Sequence, residues 1–163
     1  MASTVVDRGA RSRRQAICLL LLAATIALVA PVTAQPRGFR LEGLRGGELV
    51  AGDLDQGTTV AIVWASWSPR CRDIVARTNA IAARWGNQVR VITVDFQEDP
   101  EAVRSFLEGQ ELKAPVYLDQ DGAFSKKYAV THLPGLLIFR DGQTRFSGRL
   151  SRDPDSVISE SLQ

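Results

Sequence analysis

Cys18 and Cys71 are the only cysteines in the chain, and His132 is its only histidine. Cys71 closes the run Trp64-Ala65-Ser66-Trp67-Ser68-Pro69-Arg70-Cys71. A thiol ahead of a helix can be ionised by the free N–H groups and dipole of the helix start. Thiol–disulfide exchange needs such a thiolate to attack and a second sulfur to release the mixed disulfide. Three residues before Cys71 stands Ser68. Its hydroxyl is a far weaker acid and forms no S–S bond, so Ser68 and Cys71 cannot cycle as a sulfur pair.

Each of these residues also has a reading that needs no chemistry. Ser68 suits an N-cap, with Pro69 in the first helical turn. Arg70 and Arg72 suit solvated positions, since sequence neighbours point to different helix faces. A Ser68/His132 hydrolase lacks the G-x-S-x-G elbow and an acid placed to orient the imidazole. One Cys and one His cannot complete a structural zinc site, and no EF-hand spacing occurs, so neither metal nor cofactor is expected. Asp95 and the Asp119–Asp121 stretch are read as turn and cap residues. Trp64, which closes an apolar run, is expected in the core.

The elements that must position Ser68 and Cys71 follow from apolar patterning. Thr59 to Trp64 has no polar alternation after its first residue, which predicts a strand covered on both faces. Ile74, Val75, Thr78, Ile81, Ala82 and Trp85 recur at helical spacing, with Gly86 as the stop. Val89 to Val94 predicts a second buried strand. Asp99-Pro100-Glu101 opens a helix that ends at Gly109. Pro115 to Leu118 predicts a short strand and Phe124 to Tyr128 a short helix. Leu136–Phe139 and Thr144–Phe146 flank Asp141-Gly142, a hairpin signal, and Asp155 to Leu162 predicts a closing helix. Residues 36–57 suggest a short irregular hairpin. The order is α/β, with a parallel first pair of strands.

The whole chain has 163 residues, with 20 Lys and Arg against 18 Asp and Glu. Residues 1–34 hold Arg8, Arg11, Arg13 and Arg14 against Asp7, which leaves residues 35–163 with 16 bases and 17 acids. A nearly neutral domain offers no electrostatic footprint for nucleic acid. Ile17 to Ala30 is an apolar run of 14 residues, short of the ~20 a spanning helix needs. The basic residues before it, Pro31 after it, and Val32-Thr33-Ala34 together predict a signal peptide over 1–34. Residues 35–163 then form one exported domain, periplasmic or otherwise extracytoplasmic, held at a membrane only if the leader stays uncleaved. Cys18 leaves with the leader, and Cys71 remains as a lone thiol.

The W-A-S-W-S-P-R-C segment resembles the W-A-S-W-C-x-x-C segment of exported thioredoxin-fold reductases of the TlpA/ResA kind. The resemblance continues through Val94-Asp95, Asp99–Val103, Pro115-Val116, Leu118-Asp119, Asp121-Gly122, Tyr128–Val130, Leu133-Pro134 and Phe139–Gly142. It implies a three-layer α/β/α thioredoxin-like fold with a central mixed sheet of about five strands. The stretch from Pro100 to Val130 would be the extra αβ element of that group, and Pro134 a cis proline beside the site. Where the family has its attacking cysteine, this chain has Ser68. The family's buried acid six residues earlier falls on Ile62, and the glutamate three residues after the second cysteine falls on Ile74.

These departures imply a degenerate site in which Ser68 and Cys71 occupy the catalytic positions. Trp67, Pro69, His132, Leu133 and Pro134 would line the binding groove. The expected function is recognition or capture of thiol- or disulfide-bearing envelope proteins, with at most one-sulfur chemistry at Cys71. Three alternatives stand beside it: an oxidoreductase whose partner supplies the second thiol, a peptide-binding module without redox chemistry, and a peroxidase. The last is suggested by the Thr/Ser-x-x-Cys arrangement of peroxiredoxin-like proteins, but Trp64 replaces their proline and no resolving cysteine is present.

Overall fold

A computed structural model describes residues 38–163; the signal peptide expected over 1–34 lies outside them. Strands β1 (Arg40–Gly43) and β2 (Glu48–Val50) open the domain, followed by β3 (Thr58–Trp64) and helix α1 (Ile74–Trp85). Strand β4 (Arg90–Phe96), helix α2 (Pro100–Leu107), strand β5 (Val116–Asp119) and helix α3 (Ala123–Lys127) come next. The hairpin β6 (Gly135–Arg140) and β7 (Gln143–Arg149) and helix α4 (Asp155–Ser161) complete it.

The strands form one mixed sheet in the order β2-β1-β5-β4-β3-β6-β7. β3 lies near its centre, parallel to β4 and antiparallel to β6. Seven strands exceed the five expected, because β1 and β2 are not a detached hairpin. β1 runs antiparallel to β5, pairing Glu42 with Leu118 and Gly43 with Tyr117, and so extends the sheet.

β3 is covered on both faces, as its unbroken apolar run requires. One face carries Val60, Ile62 and Trp64, packed with Cys71, Ile74 and the inner side of α1. The other carries Ala61 and Val63, packed with Ile92, Val94, Phe124 and Phe139. Burial of each large aliphatic side chain contributes about 1.5–3 kcal/mol, so these two clusters hold the layers together. α4 is tied to α1 by the Trp85 indole, which donates to Asp155 Oδ1 at 2.7 Å.

The Asp141-Gly142 turn is the tight hairpin its sequence announces: φ is +50° at Asp141 and +78° at Gly142. A Cβ on Gly142 would also stand 3.0 Å from Asp55 Oδ1. The turn is anchored to the start of β3, since Asp141 Oδ1 accepts from the Gly57 N–H at 3.0 Å.

Both edges of the sheet are blunt. β2 is three residues long. β7 carries exposed Arg145 and Arg149 and is irregular opposite Ile138 and Phe139.

Candidate functional site

The carboxyl end of β3 leads through Ala65–Ser68 into a single 3₁₀ turn, Pro69–Cys71, and the regular helix begins only at Ile74. Ser68 does hold the extended backbone of a cap, with φ −81° and ψ 117°, but its hydroxyl caps nothing. This corrects the sequence expectation. Pro69 initiates a tight turn rather than α1 itself, so the Ser68 main chain supplies the local bond, its carbonyl accepting from Cys71 N–H at 2.9 Å.

Cys71 has no accessible surface. It packs in the apolar cluster with Ile62, Trp64 and Ile74. Ile62 and Ile74, the positions where the resemblance looks for proton-handling groups, thus bring only hydrocarbon to the sulfur's surroundings. Ser68 is itself 6% exposed and forms part of a groove wall.

The groove has a volume of about 460 Å³. Trp67, Ser68, Pro69 and Arg70 form one wall, while Val130 through Leu133 and Phe96 form the other. Sequence reasoning placed Trp67, Ser68, Pro69, His132 and Leu133 here, and the fold brings these five together. Trp67 is the one large hydrophobic residue exposed among the described residues, at 61%. The Leu133-Pro134 peptide bond is cis. Pro134 is not among the residues lining the groove: it is buried, with its carbonyl accepting from Leu150 N–H. His132 Nδ1 lies 2.7 Å from Thr131 Oγ1, a local pairing on the exposed loop. Cys71 is absent from the lining.

A second polar feature underlies the same turn. Asp95 pairs in register with Trp64 across the β3–β4 ladder and is fully buried. It is therefore neither a turn nor a cap residue, unlike Asp119, whose oxygens accept the Phe124 and Ser125 N–H groups at 2.9 Å each. No donor meets hydrogen-bond geometry at either Asp95 oxygen. Burial pushes the Asp95 carboxyl up to about 9; a hydrogen bond from its protonated form to the Glu98 carboxyl, and the Glu98 charge, add to the push. The Glu98 main-chain N–H pulls back, and Asp119 contributes a smaller upward push.

Glu98 reaches this position because Gln97 reverses the chain in the left-handed region, at φ +56°. Its two oxygens take the two donors of Ser66: Oε2 accepts the N–H at 2.5 Å, and Oε1 accepts the hydroxyl. No sequence motif signalled Glu98 or Phe96, and Val130 stood in the Tyr128–Val130 block of the resemblance with no role attached to it. No group of three or more metal-ligating side chains occurs among the described residues.

The three-layer fold, the cis Leu133-Pro134 bond and the groove at the end of β3 define a thioredoxin-like protein. The chain belongs to the AhpC/TSA family, whose profile matches residues 32–145. It is 28% identical to the thiol-disulfide oxidoreductase ResA of Bacillus thuringiensis subsp. konkukian over 107 residues, 64% of this chain. The match spans 62% of that relative's length. Solved structures that share the fold include the following two. MTB DsbF superimposes with a TM-score of 0.66 and 23% identity, covering 77% of this chain and 95% of the other. A secreted Mycobacterium tuberculosis disulfide oxidoreductase homologous to E. coli DsbE gives 0.60 and 22%, covering 76% and 93%.

Proposed function

We propose that this is an exported thioredoxin-like protein that captures extended segments of thiol- or disulfide-bearing polypeptides and does not turn over disulfides on its own. The observation that carries the reading is the pairing of Ser68 at the groove with a Cys71 that has no accessible surface. A mixed disulfide at Cys71 requires the 3₁₀ turn to open first, whereas the groove of Trp67, His132 and Leu133 is open as it stands. An extended peptide can be held there through its main chain and by contact with the exposed indole, with no sulfur involved. The same burial disfavours peroxide reduction, because a peroxide would have to reach a sulfur enclosed by Ile62, Trp64 and Ile74. Export is supported by the leader-like residues 1–34 and by likeness to a protein described as secreted.

The test pairs two measurements on the same preparation. Titration with an extended, cysteine-containing peptide, read by Trp67 emission, is expected to saturate. A disulfide-reduction assay with a dithiol as electron donor is expected to stay at background. Sustained turnover by the wild-type protein, or absence of saturable binding, overturns the reading.

A further inference from the structure

We infer that Asp95 and Glu98 hold one proton between them and that this proton sets the Ala65–Ser68 turn, which supplies Trp67 and Ser68 to the groove. The functional half of this inference rests on the capture reading above; the structural half does not.

The geometry begins with a polar group that lacks a donor. Asp95 is enclosed, and as an anion it finds no donor in hydrogen-bond geometry, the Glu98 main-chain N–H offering only a weak counter-pull. As a neutral acid it is instead a donor, and the acceptor at this corner is Glu98, which is bonded to Ser66 two residues beyond the Trp64 that pairs with Asp95. Glu98 uses one lone pair on each oxygen for Ser66, which leaves further lone pairs for the Asp95 O–H. A chain of bonds then runs from the end of β4, through Glu98, to both donors of Ser66. Ser66 lies one residue before Trp67 and two before Ser68. Two neighbouring carboxyl groups that share a site keep one proton because a second charge there is unfavourable.

None of the ion pairs among the described residues includes Asp95 or Glu98, and the basic residues nearest the turn, Arg70 and His132, line the groove with Phe96. From β3 the neighbour is Trp64, and from β5 it is Leu118, paired with Asp95 in register, with Asp119 as a further acid. α2 packs on Trp64 through Phe106, their rings 5.2 Å apart. The charged residues of α2, Glu101 and Arg104, pair with each other at 2.6 Å on its exposed side. From the 3₁₀ turn comes Cys71, which is uncharged as a thiol, and Asp73 just beyond it faces Arg77. Loss of the proton therefore leaves two adjacent anions, neither of them held in an ion pair. Glu98 is the half-buried member with a route to solvent, so it is the one that swings away and releases Ser66. The groove wall loosens as a result, and peptide affinity falls on the alkaline side.

Carboxyl carbon NMR of the whole protein, with Ser66 amide exchange followed in the same samples, tests the inference. Asp95 is expected to report an alkaline transition near pH 9. Ser66 exchange, corrected for its intrinsic pH dependence, is expected to rise at least ~10-fold through it, about 1.4 kcal/mol of lost protection. Asp95→Asn should remove the transition while keeping Ser66 protected, because its amide N–H donates to Glu98 at every pH. Glu98→Ala should leave Ser66 unprotected throughout. An Asp95 carbon that titrates in the ordinary carboxylate range, or Ser66 protection that survives Glu98→Ala, overturns the inference. Peptide titration at pH 7 and 10 separates the two readings. A Ser66 transition without peptide binding at either pH sinks the capture reading alone, whereas binding with no alkaline decline and no transition sinks this one.

Discussion

Ser68 and Cys71 are the two ends of one hydrogen-bonded turn, the Cys71 N–H donating to the Ser68 carbonyl at 2.9 Å. One end borders the groove, and the other is sealed in the apolar cluster beneath it. A sulfur at position 68 would meet incoming disulfides, and the turn already holds position 71 close behind it.

Ser68→Cys is therefore expected to convert a protein with background disulfide reduction into one with sustained turnover. The dithiol-driven reduction of a model disulfide checks this. Equal rates for wild type and variant would show that the missing sulfur is not what limits the protein.

Burial predicts that Cys71 labels slowly in the native state. Iodoacetamide should react at least ~100-fold more slowly with native protein than with protein unfolded in urea at the same pH, because access waits on a local opening of about 3 kcal/mol. Mass spectrometry of timed aliquots measures both rates. Comparable rates would mean that the 3₁₀ turn opens freely.

Trp67 is exposed and supports no core contact, so Trp67→Ala should leave the urea midpoint within about 0.5 kcal/mol of wild type. As the aromatic anchor of the groove it should cost about 2 kcal/mol of peptide affinity. Isothermal titration with the same peptide distinguishes this from a passive rim residue, for which affinity would not change.

Asp95 gives the domain a pH-dependent stability with a definite sign. Its carboxyl titrates near 9 in the folded protein and near ~4 in an unfolded chain. Between those limits the native state binds more protons, so its contribution is fully present below about pH 4 and is lost as pH rises toward 9. Asp95→Asn lacks this dependence. Its stability relative to wild type should grow with pH by up to ~1.4 kcal/mol per unit across the window, then level off. Urea unfolding at pH 5, 7 and 8.5 checks the trend; a constant difference would contradict it.

Much of this arrangement could be read from residue patterning, for reasons visible in particular residues. The unbroken apolar run ending at Trp64 can only be a strand covered on both faces, and Asp141-Gly142 prescribes a tight turn. Trp67 and His132 could be placed at the groove only through the resemblance to the TlpA/ResA group, which made Pro134 the expected cis proline beside the site. Asp95 could not. The expected strand stopped at Val94, but β4 runs on to Phe96, and the period of two then turns Asp95 inward with Thr93. Glu98 depends on the left-handed Gln97, which no residue preference announces. The failure at the Ser68 cap has a similar origin, since the 3₁₀ turn reflects how Cys71 is drawn into the cluster with Ile62 and Ile74 rather than the preferences of Ser-Pro.

The two blunt margins of the sheet carry a consequence for crowded conditions. A three-residue β2 is too short a template for another copy to register against, and the arginines of β7 repel their own image. Fibril growth by strand addition is thus frustrated at both flanks, and the folded domain should tolerate high local concentration without polymerising.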